Sequence, residues 1–322
     1  MRKLARAFLI ALALLVGAGL SALFLTRRPI DPAEGVTHPI EASGEHGTDV
    51  EVSFSILPTA TVTAPEAVMF EGGSWFKERR MDHSAVLICH PKALILFDTG
   101  LGRDIDNQFR EFPLFNRMAL RYEKLRAAAD VIAADNPCPD RPLIIIPSHL
   151  HWDHAGGIED FPNAEVWIQD AELQQARTGG TAQGFLPAQI DAESIKWHPF
   201  TFSDQPYEQY RQSLDVFDDG SLILVPMAGH TAGSVGLFLT TARARYFFTG
   251  DTTWSREGFS KPAHKFAAAR AIVDLDPGLL EKEIADVHQL MLRDPDLLVI
   301  PAHDAAAYPE GAIYPGWTDG QN

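Results

Sequence analysis

The sequence predicts a mixed α/β (α+β) domain of two packed sheets with helices outside. Short apolar runs of strand length fall into two groups, and each group is followed by helical stretches. No repeat of solenoid period and no glycine-rich nucleotide loop interrupts that order. A length of 322 residues with 46% apolar content supplies a sizeable core.

The chain opens on a separate object. Arg2, Lys3 and Arg6 precede the uncharged run Ala7–Thr26, and Arg27-Arg28-Pro29 follows it. As a helix this run would span roughly 30 Å, about the hydrocarbon thickness of a bilayer. Residues 1–28 are therefore expected to be an export signal or a single-pass anchor in a bacterial inner membrane, with the remainder in the periplasm. The alternative is cleavage near Gly17-Ala18 and release into the periplasm. Residues 29–48, rich in Pro, Gly, His and acid groups, are expected to form a flexible linker, and 49–322 the folded domain.

Within that domain Val50–Leu57, Ala67–Phe70, Ser84–Cys89 and Ala93–Phe97 read as strands, the last two joined by a tight turn at His90-Pro91-Lys92. Phe115–Ala134 is rich in Ala, Leu, Arg and Glu and reads as one helix. Leu143–Ile146 is a buried strand and Glu165–Ile168 another. Asp170 is expected to cap a helix over 171–177 that Gly179-Gly180 ends. Leu222–Val225, Ser234–Leu239 and Tyr246–Phe248 are further strands. Lys265–Val273 and Leu279–Leu292 read as helices. The second carries Leu280, Ile284, Val287 and Met291 on one face, the spacing for packing on a sheet. Leu297–Ile300 is the last strand. The two cysteines, Cys89 and Cys138, lie in an apolar run and a Pro-flanked loop; export would permit a disulfide, but their spacing does not show that they meet.

Chemistry concentrates where strands end. His149, His151, Asp153 and His154 follow the run 143–146 within six residues, and His230, Asp251 and His303 each follow another predicted strand. Such groups bury badly without partners, and imidazole nitrogen with carboxylate oxygen suits divalent ions. His149, His151 and His230 would take one ion, and Asp153, His154 and His303 a second. Asp251 would bridge them, leaving a place for water or hydroxide. Gly156-Gly157 lets the chain turn sharply beneath. The formal net charge of -16 has the wrong sign for a phosphate-backbone binder, so nucleic acid is excluded as a partner and a small molecule expected.

These residues resemble the metallo-β-lactamase superfamily, whose His-x-His-x-Asp-His signature reads His149–His154 here. The resemblance extends to Phe97-Asp98-Thr99-Gly100, Met227–Ser234, Thr249-Gly250-Asp251 and Pro301–Asp304. It implies a four-layer αββα sandwich, the ligand assignment above, and two divalent ions, zinc foremost with Mn2+, Fe2+ or Co2+ also compatible. It further implies that Asp98 holds the outer nitrogen of a ligand histidine or anchors the ligand loop. Thr231 and Ser234 are expected to tie down the turn around His230. Asp153 would orient the attacking hydroxide and carry a proton to the leaving oxygen.

The full ligand set is similar to that of acyl-homoserine-lactone lactonases, which implies a carboxylic ester substrate, a lactone first. Those enzymes place a tyrosine three residues after the bridging aspartate; here stands Trp254, an indole with one donor and no acidic hydroxyl. Thioesters and other carboxylic esters therefore stay open, with phosphate or sulfate esters and β-lactams behind them. A noncatalytic, membrane-tethered metal-binding module is the rival of another class. Trp75, Phe76, Phe109, Phe112 and Trp254 are candidates for the substrate pocket, and Trp152 is expected to pack beneath the metal loop.

Overall fold

A computed structural model describes residues 29–34, 48 and 50–318. The first sheet has seven strands. These are β1 (Ser53–Pro65), β2 (Glu78–His90), β3 (Ala93–Phe97), β4 (Glu123–Lys124), β5 (Leu143–Ile146), β6 (Glu165–Ile168) and β7 (Lys196–Pro199), in the order β4-β1-β2-β3-β5-β6-β7. The second has five: β8 (Leu214–Asp215), β9 (Leu222–Pro226), β10 (Val235–Thr240), β11 (Arg245–Phe248) and β12 (Leu298–Ile300), in the order β12-β11-β10-β9-β8.

Side-chain alternation sets the layers. Ile88, Ile95, Phe97 and Ile146 meet Leu224, Val235 and Leu237 between the sheets. Leu87, Leu96 and Ile145 point the other way, into a cluster with Val131, Phe185 and Ile190. On the far side Val225, Phe238 and Phe247 pack beneath Ile284, Val287 and Leu290 of the helix Pro277–Arg293. Each such fully buried side chain contributes about 1.5–3 kcal/mol. That helix starts where Asp276 accepts from the N–H groups of Gly278 and Leu279, with Pro277 in its first turn. The expected αββα sandwich is the observed fold.

Parallel register brings the loops together. Phe97 pairs with Ile146, which sets the Asp98 turn beside Ser148-His149, and the Asp98 N–H donates to the Ile146 carbonyl at 3.1 Å. Phe248 pairs with Ile300, so Asp251 and His303 leave neighbouring strands side by side. The turn between β9 and β10 delivers His230 to the same edge.

Several local expectations change. Residues 66–69 form a helical turn, not a strand, because the Glu66 carboxylate gathers the Ser74 N–H, Lys77 and Arg79 around itself. The long helix 115–134 is two short ones, Leu114–Ala119 and Ala128–Ala134, separated by β4 on the edge of β1. Tyr122 sets that break: its ring lies 5.0 Å from Phe109 and its hydroxyl donates to Asp106 at 2.8 Å, outweighing helix propensity. Gln169, not Asp170, occupies the cap position of the helix Asp170–Gly179, and it makes no side-chain cap bond. Cys89 and Cys138 form a disulfide, with Cα atoms 6.0 Å apart.

The membrane expectation is corrected. Among the described residues no helix is long and apolar enough to cross a membrane. Residues 1–28, on which the anchor or signal rested, lie outside the described residues. Membrane attachment and an inner-membrane location are therefore not carried forward. Part of the expected linker is docked: Ile30 is buried beneath the helix 277–293, and the Gln289 side-chain amide donates to the Pro32 carbonyl at 3.1 Å.

The same helix carries a stability prediction. Glu283 turns its carboxylate inward, and its shielded Oε2 has no hydrogen-bond partner among the described residues. Burial, with the Asp286 carboxylate adding and Lys282 opposing, pushes its pKa up to about 8 from 4.5. The folded state thus favours the protonated acid. Its contribution is complete below pH ~4.5 and is lost as pH rises through about 8. Glu283→Gln should remove a decline of a few kcal/mol across that window. Parallel thermal-unfolding profiles of the two proteins from pH 5 to 8.5 would refute it.

Candidate metal centre

Three nitrogens converge first. His149 Nε2 lies 3.1 Å from His151 Nδ1 and 3.1 Å from His230 Nε2. The rings are buried, and burial foremost, then repulsion from His154 and His230 on His149 and from His230 on His151, holds both well below the ordinary imidazole pKa. Burial and then Lys265 lower His230. Neutral imidazoles present the lone pairs a cation requires. A close approach makes room for His151: a side chain at Gly184, which has φ +87°, would meet its ring carbon at 2.9 Å.

Beside this trio stand Asp153, His154, Asp251 and His303. Asp251 Oδ1 lies 3.3 Å from His154 Nε2 and 3.0 Å from His303 Nε2, while Oδ2 lies 3.6 Å from His230 Nε2. One carboxylate thus faces both groups. Burial works against charge here. Even so, His303 and His154 hold the Asp251 carboxyl well below the usual range. The pull is mutual, raising His154 through Asp98, Asp251 and Asp153, and His303 through Asp251. A site that attracts protons this strongly attracts cations for the same reason.

The donors fit a metal pair. His154 Nε2 and Asp251 Oδ1 are buried without a hydrogen bond although they face each other. Sets of ligand atoms within 4.8 Å of one another occur at His149–His151–His230, at His149–His154–Asp251 and at His83–Asp153–His303. All seven residues expected from the sequence are brought together.

The outer nitrogens are also fixed. His154 Nδ1 pairs with Asp98 Oδ2 at 2.9 Å, His230 Nδ1 with Asp274 Oδ1 at 2.6 Å, and His303 Nδ1 with the Asp82 carbonyl at 2.7 Å. Each bond makes Nδ1 the donor and leaves Nε2 free to ligate. Asp98 further accepts the Ser148 N–H at 2.6 Å and its hydroxyl at 2.9 Å. Thr231 and Ser234 share a hydroxyl–hydroxyl bond of 2.5 Å across the His230 turn.

Sequence reading missed four residues. His83 meets Asp153 Oδ2 at 2.9 Å from β2. Buried Glu172 accepts the N–H groups of Leu150 and Gly233, lacing the two histidine loops together. Asp274 and Lys265 lie behind His230. The one available signal was Asp82-His83, in the polar first half of β2 just ahead of its apolar run Ala85–Cys89.

Of the pocket candidates, Phe109 and Phe112 are buried against Trp152 as core, at ring separations of 4.9 and 6.2 Å. Phe76 is fully exposed, and Trp75 leans on Phe266 at 5.2 Å. Trp254 donates its indole N–H to Asp251 Oδ2 at 2.8 Å.

The sequence pattern of the Metallo-beta-lactamase superfamily matches residues 79–303. The chain belongs to that superfamily. A probable metallo-hydrolase of Mycobacterium tuberculosis is 28% identical over 246 residues, covering 69% of this chain and 76% of its own. The N-acyl homoserine lactonase AttM of Rhizobium radiobacter is 25% identical over 192 residues, 58% of this chain and 67% of its own. Among solved structures, an AiiA variant of B. thuringiensis with N-decanoyl-L-homoserine at its active site superposes with a TM-score of 0.63 at 18% identity. It covers 84% of this chain and 99% of the other, a likeness of fold. Superfamily membership and the convergent ligand atoms together make this a metal-dependent hydrolase.

Proposed function

We propose that the chain hydrolyses carboxylic esters, with lactones as one cyclic case and thioesters within reach. His149, His151 and His230 would hold one divalent ion, zinc by donor chemistry, and Asp153, His154 and His303 the other, with Asp251 between. Such a pair supplies an activated water and a Lewis acid for the carbonyl. Asp153 is the proton carrier in this reading. Burial opposes its charge, yet His154 and His83 hold it below the usual carboxylate range, so it enters the reaction ionised.

One contact carries the breadth of the substrate class. The indole of Trp254 is committed to Asp251 Oδ2, so this position steadies the bridging carboxylate and offers no hydroxyl to a lactone. The charge balance favours uncharged substrates over phosphate or sulfate esters. Buried Lys265 is already paired with Asp274, and Arg79 with Glu66, Glu257 and Asp304.

The test is a panel of lactones, aryl esters, thioesters and phosphodiesters offered to the zinc-loaded full chain. Carboxylic ester cleavage that chelation abolishes and zinc restores is expected. Cleavage confined to phosphodiesters, or surviving chelation, would sink the reading.

A further inference from the structure

Lys265 is almost wholly buried, an expensive place for an ammonium group. It meets the Asp251 carbonyl at 2.6 Å, Asp274 Oδ1 at 2.6 Å and His230 Nδ1 at 3.2 Å. The face of Trp254 lies 5.5 Å away. Asp274 Oδ1 thus serves both Lys265 and the outer nitrogen of His230. The segment beyond is pinned as well, the Asp276 N–H donating to the Gly229 carbonyl at 2.8 Å. A buried ion pair seldom stabilises a fold more than apolar side chains of equal volume, so this one needs another reason.

We propose that Lys265 is a positioning residue that locks the first ligand trio to the bridging aspartate. It reaches His230 through Asp274 and Asp251 through its main chain. This joins one ligand of the trio to the carboxylate facing the second group, and so sets the spacing of the two ions. The inference rests on the two-metal reading above and extends it to a residue that touches neither ion.

The test uses full-length wild type, Lys265→Met and the double variant Lys265→Met/Asp274→Asn. The double variant removes both buried charges but keeps an oxygen to accept from His230. Zinc affinity is read by competition with a chromophoric chelator, and thermal unfolding is followed with and without zinc. Both variants are expected to bind zinc ~10–100-fold more weakly, with a smaller zinc-induced rise in Tm. Affinity within twofold of wild type overturns the proposal. A double variant that fails to fold even in excess zinc also overturns it, by making the amine a fold element. A wild-type chain that binds no zinc overturns the two-metal reading itself, and this inference with it.

Discussion

Replacing Asp251 by Ala should lower kcat/KM for the best ester substrate about 10³-fold and reduce bound zinc from two ions per chain toward one. Two metals facing one transition state supply several kcal/mol of charge stabilisation, and about 4 kcal/mol corresponds to about 10³ in rate. Asp251 is the residue to test because its one carboxylate reaches both ligand groups, Oδ2 lying 3.2 Å from His303 Nε2 as well as near His230. Oδ1 lies 3.3 Å from His154 Nε2, and Oδ2 lies 3.6 Å from His230 Nε2. Removing it takes from His154 and His303 the nearer of their two shared carboxylates and leaves only Asp153, so the second ion should leave first. Asp251→Asn keeps the volume and one acceptor but loses the charge, and should retain the fold with intermediate zinc binding. Elemental analysis beside steady-state kinetics checks both. A variant holding two zinc ions and activity within tenfold of wild type would show that the carboxylate does not bridge.

The candidate donors were legible in the sequence because they fall in short segments at strand exits. His149–His154 announces itself, and His230, Asp251 and His303 each follow a strand that apolar runs reveal. The strands were legible as short apolar runs, but Ala85–Cys89 and Ala93–Phe97 are apolar at every position, so the opposite faces taken by Ile88 and Leu87 emerged only from the fold. The support around the ligands left no such trace. Asp274 reaches His230 from 44 positions away, and Asp82 holds His303 through a carbonyl, which carries no residue identity. The break at Tyr122 was equally hidden, since ring contacts with Phe109 and Trp152 decide it against a favourable local composition. The Cys89–Cys138 pairing depended on the chain's return after the helix 128–134, which spacing does not reveal. Trp254 marks the converse case. Its departure from the lactonase pattern was plain, but its bond to Asp251 emerged only from the fold.

Asp98 offers the second large effect, and two substitutions separate its parts. The residue sits at φ +59°, where Ala costs about 1–2 kcal/mol but Asn is tolerated. Its side chain accepts from the Ser148 N–H and hydroxyl and from His154 Nδ1, all buried. Asp98→Ala adds backbone strain to orphaned donors worth ~1–3 kcal/mol each, so its metal-free form should lose several kcal/mol of stability. Asp98→Asn keeps the backbone and one oxygen for the Ser148 N–H. It cannot also accept from His154, and its amide nitrogen faces donors where the carboxylate offered an acceptor. It should therefore fold near wild type yet bind zinc ~10–100-fold more weakly, through a misdirected His154. Metal-free thermal unfolding beside zinc titration separates the two outcomes. Equal zinc affinity in Asp98→Asn and wild type would mean that Asp98 anchors the loop through Ser148 alone. The carboxylate would then have no part in directing His154 toward the metal.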